Sequence, residues 1–186
     1  MTDNPVLRAA LACADKEWPV FPCHPSRKVA ATPNGYLDAT TDRAQVREWF
    51  GARPELNLAV ATGAPGPDVL DVGNLGPEAN GFRGLWRLHE AGLARGATAC
   101  IDTPSGGMHV YFDGSAQPSD RLPGHYLDFI AKGGYVLVPP PHVSGRPYAG
   151  VNIPDRHGGL DWDAAVRLLD PARQARREPP DHEAGA

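Results

Sequence analysis

Thr103-Pro104-Ser105-Gly106-Gly107-Met108-His109-Val110-Tyr111-Phe112 runs a turn directly into a strand, and its reading decides the fold class. Pro, Ser and paired Gly are turn residues, because proline presets φ and glycine supplies positive φ without steric cost. The five residues from Met108 to Phe112 contain β-branched and aromatic side chains and predict a strand. Alternation then places His109 on the same face as Gly107 and Tyr111. Backbone N–H groups at Ser105-Gly106-Gly107 suit an anion such as phosphate. The other reading is a plain β-turn with a satisfied, partly buried His109.

Working outward, short elements of both kinds alternate along the chain. Val6, Leu7, Ala10, Leu11 and Ala14 recur at helical spacing after Asn4-Pro5, which predicts a helix over 5–16. Trp18 to Pro22 reads as a strand bracketed by prolines, followed by a turn-rich loop from Lys28 to Asp38. Thr41 is the expected N-cap of a second helix that carries Val46, Trp49 and Phe50 and stops near Gly51. Strands are expected at Leu56–Ala61, Val69–Val72, Ala97–Ile101, Tyr126–Ile130 and Tyr135–Val138, with helices over 81–93 and after about residue 160. Helices mixed with many short strands define an α+β or mixed α/β fold.

Glycine (21) and proline (20) are abundant for 186 residues, which excludes a long helical bundle. The length suits one domain, expected over 5–170, with the charged, proline-containing stretch 171–186 read as a disordered tail. No basic patch precedes an apolar run and no stretch is long enough to span a membrane, so a cytoplasmic protein is expected. Cys13, Cys23 and Cys100 lack paired spacing and read as free thiols rather than zinc ligands. Trp18, Trp49, Trp86 and Trp162 fall in apolar patterns and read as core residues. The net charge of −4 repels a polyanion at long range. A nucleic-acid partner would therefore need a local strip of basic residues, for which Lys28, Arg121 and Lys132 are among the candidates.

Asp71 and Asp128 each sit on a predicted strand. If those strands are neighbours, their carboxylates offer hard oxygen ligands to Mg²⁺ or Mn²⁺. The competing reading gives each aspartate a local turn or cap. An acid-base pair of His109 with Asp128 in an unrelated enzyme also stays open. Ser105 is not in a glycine-x-serine-x-glycine elbow, so a serine hydrolase is disfavoured.

Taken in order, Trp18-Pro19-Val20-Phe21-Pro22, Lys28, Asp38 to Asp42, Trp49, Asn57 to Val60, Thr62-Gly63, Val69-Leu70-Asp71-Val72, Thr103 to Phe112 and Gly133 to Pro140 resemble the N-terminal domain of bifunctional DNA primase-polymerases of the archaeo-eukaryotic primase superfamily. The resemblance covers roughly residues 7 to 150 and is sharpest at the Ser-Gly-Gly-x-His segment.

That resemblance implies a compact core like an RNA-recognition motif, which makes primers and extends them on a single-stranded DNA template from NTPs or dNTPs. It implies a plasmid, phage or integrated-element setting and a separate helicase or replication protein as partner, since this chain has no phosphate-binding loop of a motor. It assigns catalysis to Asp71, Asp128 and His109, and a divalent cation, Mg²⁺ or Mn²⁺, to Asp71 and Asp128. Nucleotide binding falls to Ser105, Gly106, Gly107 and His109, with Lys28 and Lys132 ranked below them.

The family pattern has a second acid two residues after the first, where this chain has Gly73. Residues i and i+2 share a strand face, so that carboxylate would share metal with Asp71. Without it, two carboxylates stand where three would place a pair of cations about 3.5–4 Å apart. Asn74, Asp68 and Glu78 are the nearby candidates to compensate. The alternative expectation is an impaired accessory protein that binds nucleotide or single-stranded DNA.

Overall fold

The computed structural model describes residues 4–25, 27–139, 149–153 and 156–173. Helix α1 (Pro5–Asp15) starts as its sequence requires: the Asn4 side chain accepts from Leu7 N, and proline occupies the first turn, where no N–H is needed. Helix α2 (Arg43–Phe50) is capped by Asp42 and not by Thr41. The Asp42 carboxylate takes Ala44 N–H, while the neighbouring Thr40 hydroxyl accepts from Asp42 N, so the residue that reaches the orphan donor wins the cap. Both helices lay their apolar stripes, Val6-Ala10-Ala14 and Val46-Phe50, into one buried cluster.

Strands β1 (Val20–Cys23), β2 (Asn57–Ala61) and β8 (Tyr135–Val138) form an antiparallel sheet in the order β1-β2-β8. A second antiparallel sheet has the order β6-β7-β3-β5-β4-β9. It is built from β3 (Asp68–Val72), β4 (Ala99–Asp102), β5 (Met108–Phe112), β6 (Asp120–Leu122), β7 (Leu127–Ile130) and β9 (Ala149–Asn152). Helices α3 (Phe82–Glu90) and α4 (Trp162–Leu169) complete the α+β fold. The expected strands and helices are present with ends moved by at most three residues. Strands β6 and β9 were not anticipated: three residues reading Asp-Arg-Leu and four reading Ala-Gly-Val-Asn carry no alternating apolar signal.

Period-two alternation divides the larger sheet cleanly. Leu70, Val72, Val110, Phe112, Leu127 and Phe129 point to one face, where Leu88 of α3 and Trp162, Val166 and Leu169 of α4 cover them. Val69, Ala99 and Tyr111 point to the other, into the cluster shared with α1, α2 and the three-stranded sheet. The second face is therefore where the two sheets meet.

Of the four tryptophans, Trp162 is buried and stacks on Phe129, while Trp86 is 62% exposed, against the core role expected from its helical spacing. Nine residues cannot bury every apolar position of α3, and Trp86 falls on its outer side. Cys13, Cys23 and Cys100 are free thiols, and burial pushes Cys13 up to about 11 and Cys23 up to about 12. No helix among the described residues is long and apolar enough to cross a membrane. Residues 174–186, most of the stretch read as a tail, and Pro140 lie outside the described residues.

Candidate active site

Antiparallel register brings the sequence candidates into one row. Asp71 on β3 lies directly opposite His109 on β5 and directly opposite Asp128 on β7. Asp128 in turn faces Arg121 on β6, so Arg121, Asp128, Asp71 and His109 stand side by side across four adjacent strands. Opposed residues in such a ladder project to the same face, here the one that looks toward the smaller sheet. Two aspartates 57 positions apart thereby become neighbours, because β7 returns to pair with β3.

The row is electrostatically uneven. His109 is buried, and its Nε2 sits 3.8 Å from Asp71 Oδ2. Burial pushes Asp71 upward, but His109 and then Lys28 outweigh it and hold its carboxyl below the usual carboxylate range. Asp128 is raised: burial acts first, the Asp71 charge second, and Arg121 and Lys28 only partly offset them. Lys28 thus acts on both carboxylates from the loop after β1, and the Tyr135 hydroxyl anchors its backbone by donating to Lys28 O at 2.7 Å. Lys132 lies on the connection after β7, with an exposed side chain and its N–H bonded to Gln117 O. Arg121 was only one of the 18 lysines and arginines in the sequence, named among the candidates for a basic strip, and nothing tied it to the acids before β6 fixed its register.

The Ser-Gly-Gly segment forms the expected turn before β5. Gly106 N donates to Thr103 O and Thr103 N to Gly107 O, both at 2.9 Å, while Ser105 and Thr103 share a hydroxyl contact of 2.9 Å. Gly106 adopts φ +84°, the left-handed region. A Cβ on Gly107 would lie 2.3 Å from Val72 O, so only glycine lets this turn pack against the end of β3, one residue beyond Asp71. Asn74 closes the arrangement, donating from Nδ2 to Gly106 O at 2.8 Å and accepting Gly76 N–H at 3.1 Å.

The three candidate substitutes for a carboxylate at position 73 are placed elsewhere. Asn74 is a neutral amide engaged with the turn. Asp68 is fully buried on the opposite strand face, accepts from Ser115 Oγ at 2.6 Å, and is raised by that burial. Glu78 lies exposed in the loop between Asn74 and Asn80. Gly73 itself continues the β3 ladder through Gly73 N to Tyr126 O at 2.9 Å. Among the described residues no group of three or more His, Cys, Asp or Glu side chains is arranged to hold a metal. The donor set is two facing carboxylates whose mutual repulsion a cation would relieve.

The antiparallel sheet thus presents an acid pair and a buried histidine in one row, with a glycine turn leading into the strand of the histidine. A family model described as bifunctional DNA primase/polymerase, N-terminal, matches residues 10–166, and the chain belongs to that family. No curated protein matches the chain.

Proposed function

We propose that this domain is a template-directed nucleotidyltransferase that makes and extends primers on single-stranded DNA from NTPs or dNTPs. The observation that carries the reading is the in-register row of Asp128, Asp71 and His109 beside the Ser105-Gly106-Gly107 turn. Asp71 and Asp128 would hold a divalent cation, Mg²⁺ or Mn²⁺, which supplies charge neutralisation and activation of the primer hydroxyl. His109 and the backbone N–H groups of the turn hold the triphosphate, with Ser105 adding a hydroxyl. Lys28 supplies a positive charge beside the acids, and Lys132 is a more distant basic contact. Positioning and charge stabilisation are what phosphoryl transfer asks of a protein. The setting we assign is replication of a plasmid, phage or integrated element, with unwinding supplied by a separate helicase.

Gly73 favours a second reading, an impaired domain that binds nucleotide or single-stranded DNA with little turnover. Two carboxylates, with Lys28 and Arg121 close by, neutralise fewer cations than three would. A Cβ at position 73 would meet Tyr126 O at 3.4 Å and Tyr126 Cβ at 3.6 Å, ordinary contacts, so Gly73→Asp is sterically admissible.

Primer extension and de novo synthesis on single-stranded DNA, with Mg²⁺ and Mn²⁺, separate the two readings. An active wild type supports the enzyme. An inert wild type with an active Gly73→Asp variant supports the impaired domain. Inactivity of both under every metal and nucleotide condition counts against nucleotidyl transfer.

A further inference from the structure

The larger sheet has six strands, and its helical face carries α3 and α4. Six strands about 4.8 Å apart are wider than two helices, each about 10 Å across, can cover. Contacts set both helices toward the β6-β7 edge. Gly84 of α3 lies against Leu127 of β7 and near Leu169 of α4, and Trp162 of α4 stacks on Phe129 of β7. Over β5 and β4 there remains a cleft of about 490 Å³, within the range that takes small organic ligands.

Val110 of β5 and Cys100 of β4, directly opposite each other in register, floor this cleft, and Ile153 flanks them just after β9. The facing wall is α3. Phe82, Leu85, Trp86 and His89 follow one another at i, i+3, i+4 and i+7, so they form a second stripe along that helix, apart from the buried Gly84 and Leu88. Trp86 is 62% exposed at the lip. Its ring lies 6.1 Å from that of His89, tilted by 36°, so the two rings extend the wall together.

One full charge faces this apolar lining. Arg156 stands beside Ile153, and its charge is felt at the floor, where it lowers the Cys100 thiol against the stronger upward push of burial and then of Asp102. No aspartate or glutamate lines the cleft. Among the described residues no carboxylate lies within ion-pair distance of Arg156. A guanidinium at the end of an apolar trough matches a molecule with an apolar body and one carboxylate, which can accept two parallel N–H bonds from it. A polyanion would instead leave most of its charge against hydrocarbon, where desolvation is uncompensated.

We infer that this cleft binds an amphipathic monocarboxylic acid. Its hydrocarbon body lies between α3 and the floor of Val110 and Cys100, its carboxylate accepts from Arg156, and His89 offers a second polar group at the lip. The cleft opens on the helical face of the sheet, whereas Asp71, Asp128 and His109 project from the other. Val110 follows His109 directly in β5, and alternation sends the two side chains to opposite faces. The inference therefore stands apart from nucleotidyl transfer, and its test needs neither metal nor nucleotide.

Octanoate and its neutral isostere octanamide are titrated into the protein by calorimetry, with the state of association followed by sedimentation velocity. The expected result is saturable one-to-one binding of octanoate, at least about tenfold tighter than octanamide, because the amide forfeits charge-assisted bonds. Arg156→Gln should remove that preference and leave octanamide binding unchanged, while Trp86→Ala weakens both probes severalfold. Both side chains are exposed, so thermal unfolding should hold. If Trp86→Ala unfolds early, the preference read in Arg156→Gln decides by itself. No binding, non-saturating uptake, equal affinity for the two probes, or a preference that survives Arg156→Gln overturns the inference. A dimer that Trp86→Ala dissociates would give the cleft to a second copy of the chain, and would overturn it as well.

Discussion

Asp71 and Asp128 have the same chemistry and opposite environments. Asp71 has a buried imidazole and Lys28 to favour its charge, whereas Asp128 meets burial and a like charge. Cation binding requires both carboxylates ionised, so the acid limb of Mn²⁺ binding should lie above the ordinary aspartate value of about 3.9. Asp71→Asn removes the repulsion and should lower the Asp128 pKa, readable as a shift of its side-chain carbon titration by NMR, while primer extension falls by about 10²-fold or more.

The sign for stability is opposite to that of a salt-bridged acid. A folded-state pKa raised above the unfolded one gives a contribution that is full below about pH 3.9 and is lost as pH rises through the raised value. Asp128→Asn should therefore raise the melting temperature modestly at neutral pH while abolishing primer extension, a trade of stability for function. A lower melting temperature would show that Asp128 is held by favourable contacts and not strained by its neighbours.

At the scale of elements, Asn74 and the Ser-Gly-Gly turn form one device. Asn74→Ala removes the amide that holds Gly106 O, so the turn should loosen and KM for nucleotide should rise severalfold with little change in kcat or melting temperature. Gly107→Ala is harsher, since the new Cβ meets backbone that cannot yield, and a loss of at least about 2 kcal/mol in denaturant unfolding is expected.

Helix α4 is seated by a different clasp. Asp120 on β6 receives both oxygens' worth of Arg173 at 2.8 Å and Trp162 Nε1 at 2.9 Å. Burial pushes this carboxyl upward, but those donors outweigh it and hold it at about 2. Its contribution to stability is present above about pH 3.9 and is lost as pH falls toward about 2. Arg173→Ala should lower stability at pH 7 and flatten the decline of stability between pH 4 and pH 2. An unaltered acid-unfolding curve would remove Asp120 as the anchor of α4.

For the whole molecule, β8 decides how the parts cohere. The chain builds β1 and β2, crosses to the larger sheet for β3 to β7, and then returns in β8 to pair with β2. Tyr111, Val69 and Ala99 of the larger sheet share a buried cluster with α1, α2 and the smaller sheet. Neither sheet has a core of its own that is also continuous in sequence. Unfolding should accordingly be a single cooperative transition, with far-ultraviolet circular dichroism and tryptophan fluorescence coincident. Two separated transitions would mean that the shared cluster does not couple the sheets.

Local signals carried much of this arrangement before any tertiary contact was known. Asn4-Pro5 fixed the start of α1, the alternation of Met108 to Phe112 fixed β5 and the face of His109, and Ser105-Gly106-Gly107 fixed the turn, because capping, pleat and positive φ act within a few residues. The order of motifs pointed to the family, and Gly73 marked its departure. Pairing was not legible: that β7 lies beside β3, that Arg121 joins the row from a three-residue strand, and that the Lys28 charge acts on the acids from the loop after β1 depend on contacts between distant segments. Nor could the sequence set the opposite shifts of Asp71 and Asp128 or commit Asn74 to the turn. Burial and charge at a site are sums over neighbours, and a strand's own residues specify its faces but not the strands that will lie against it.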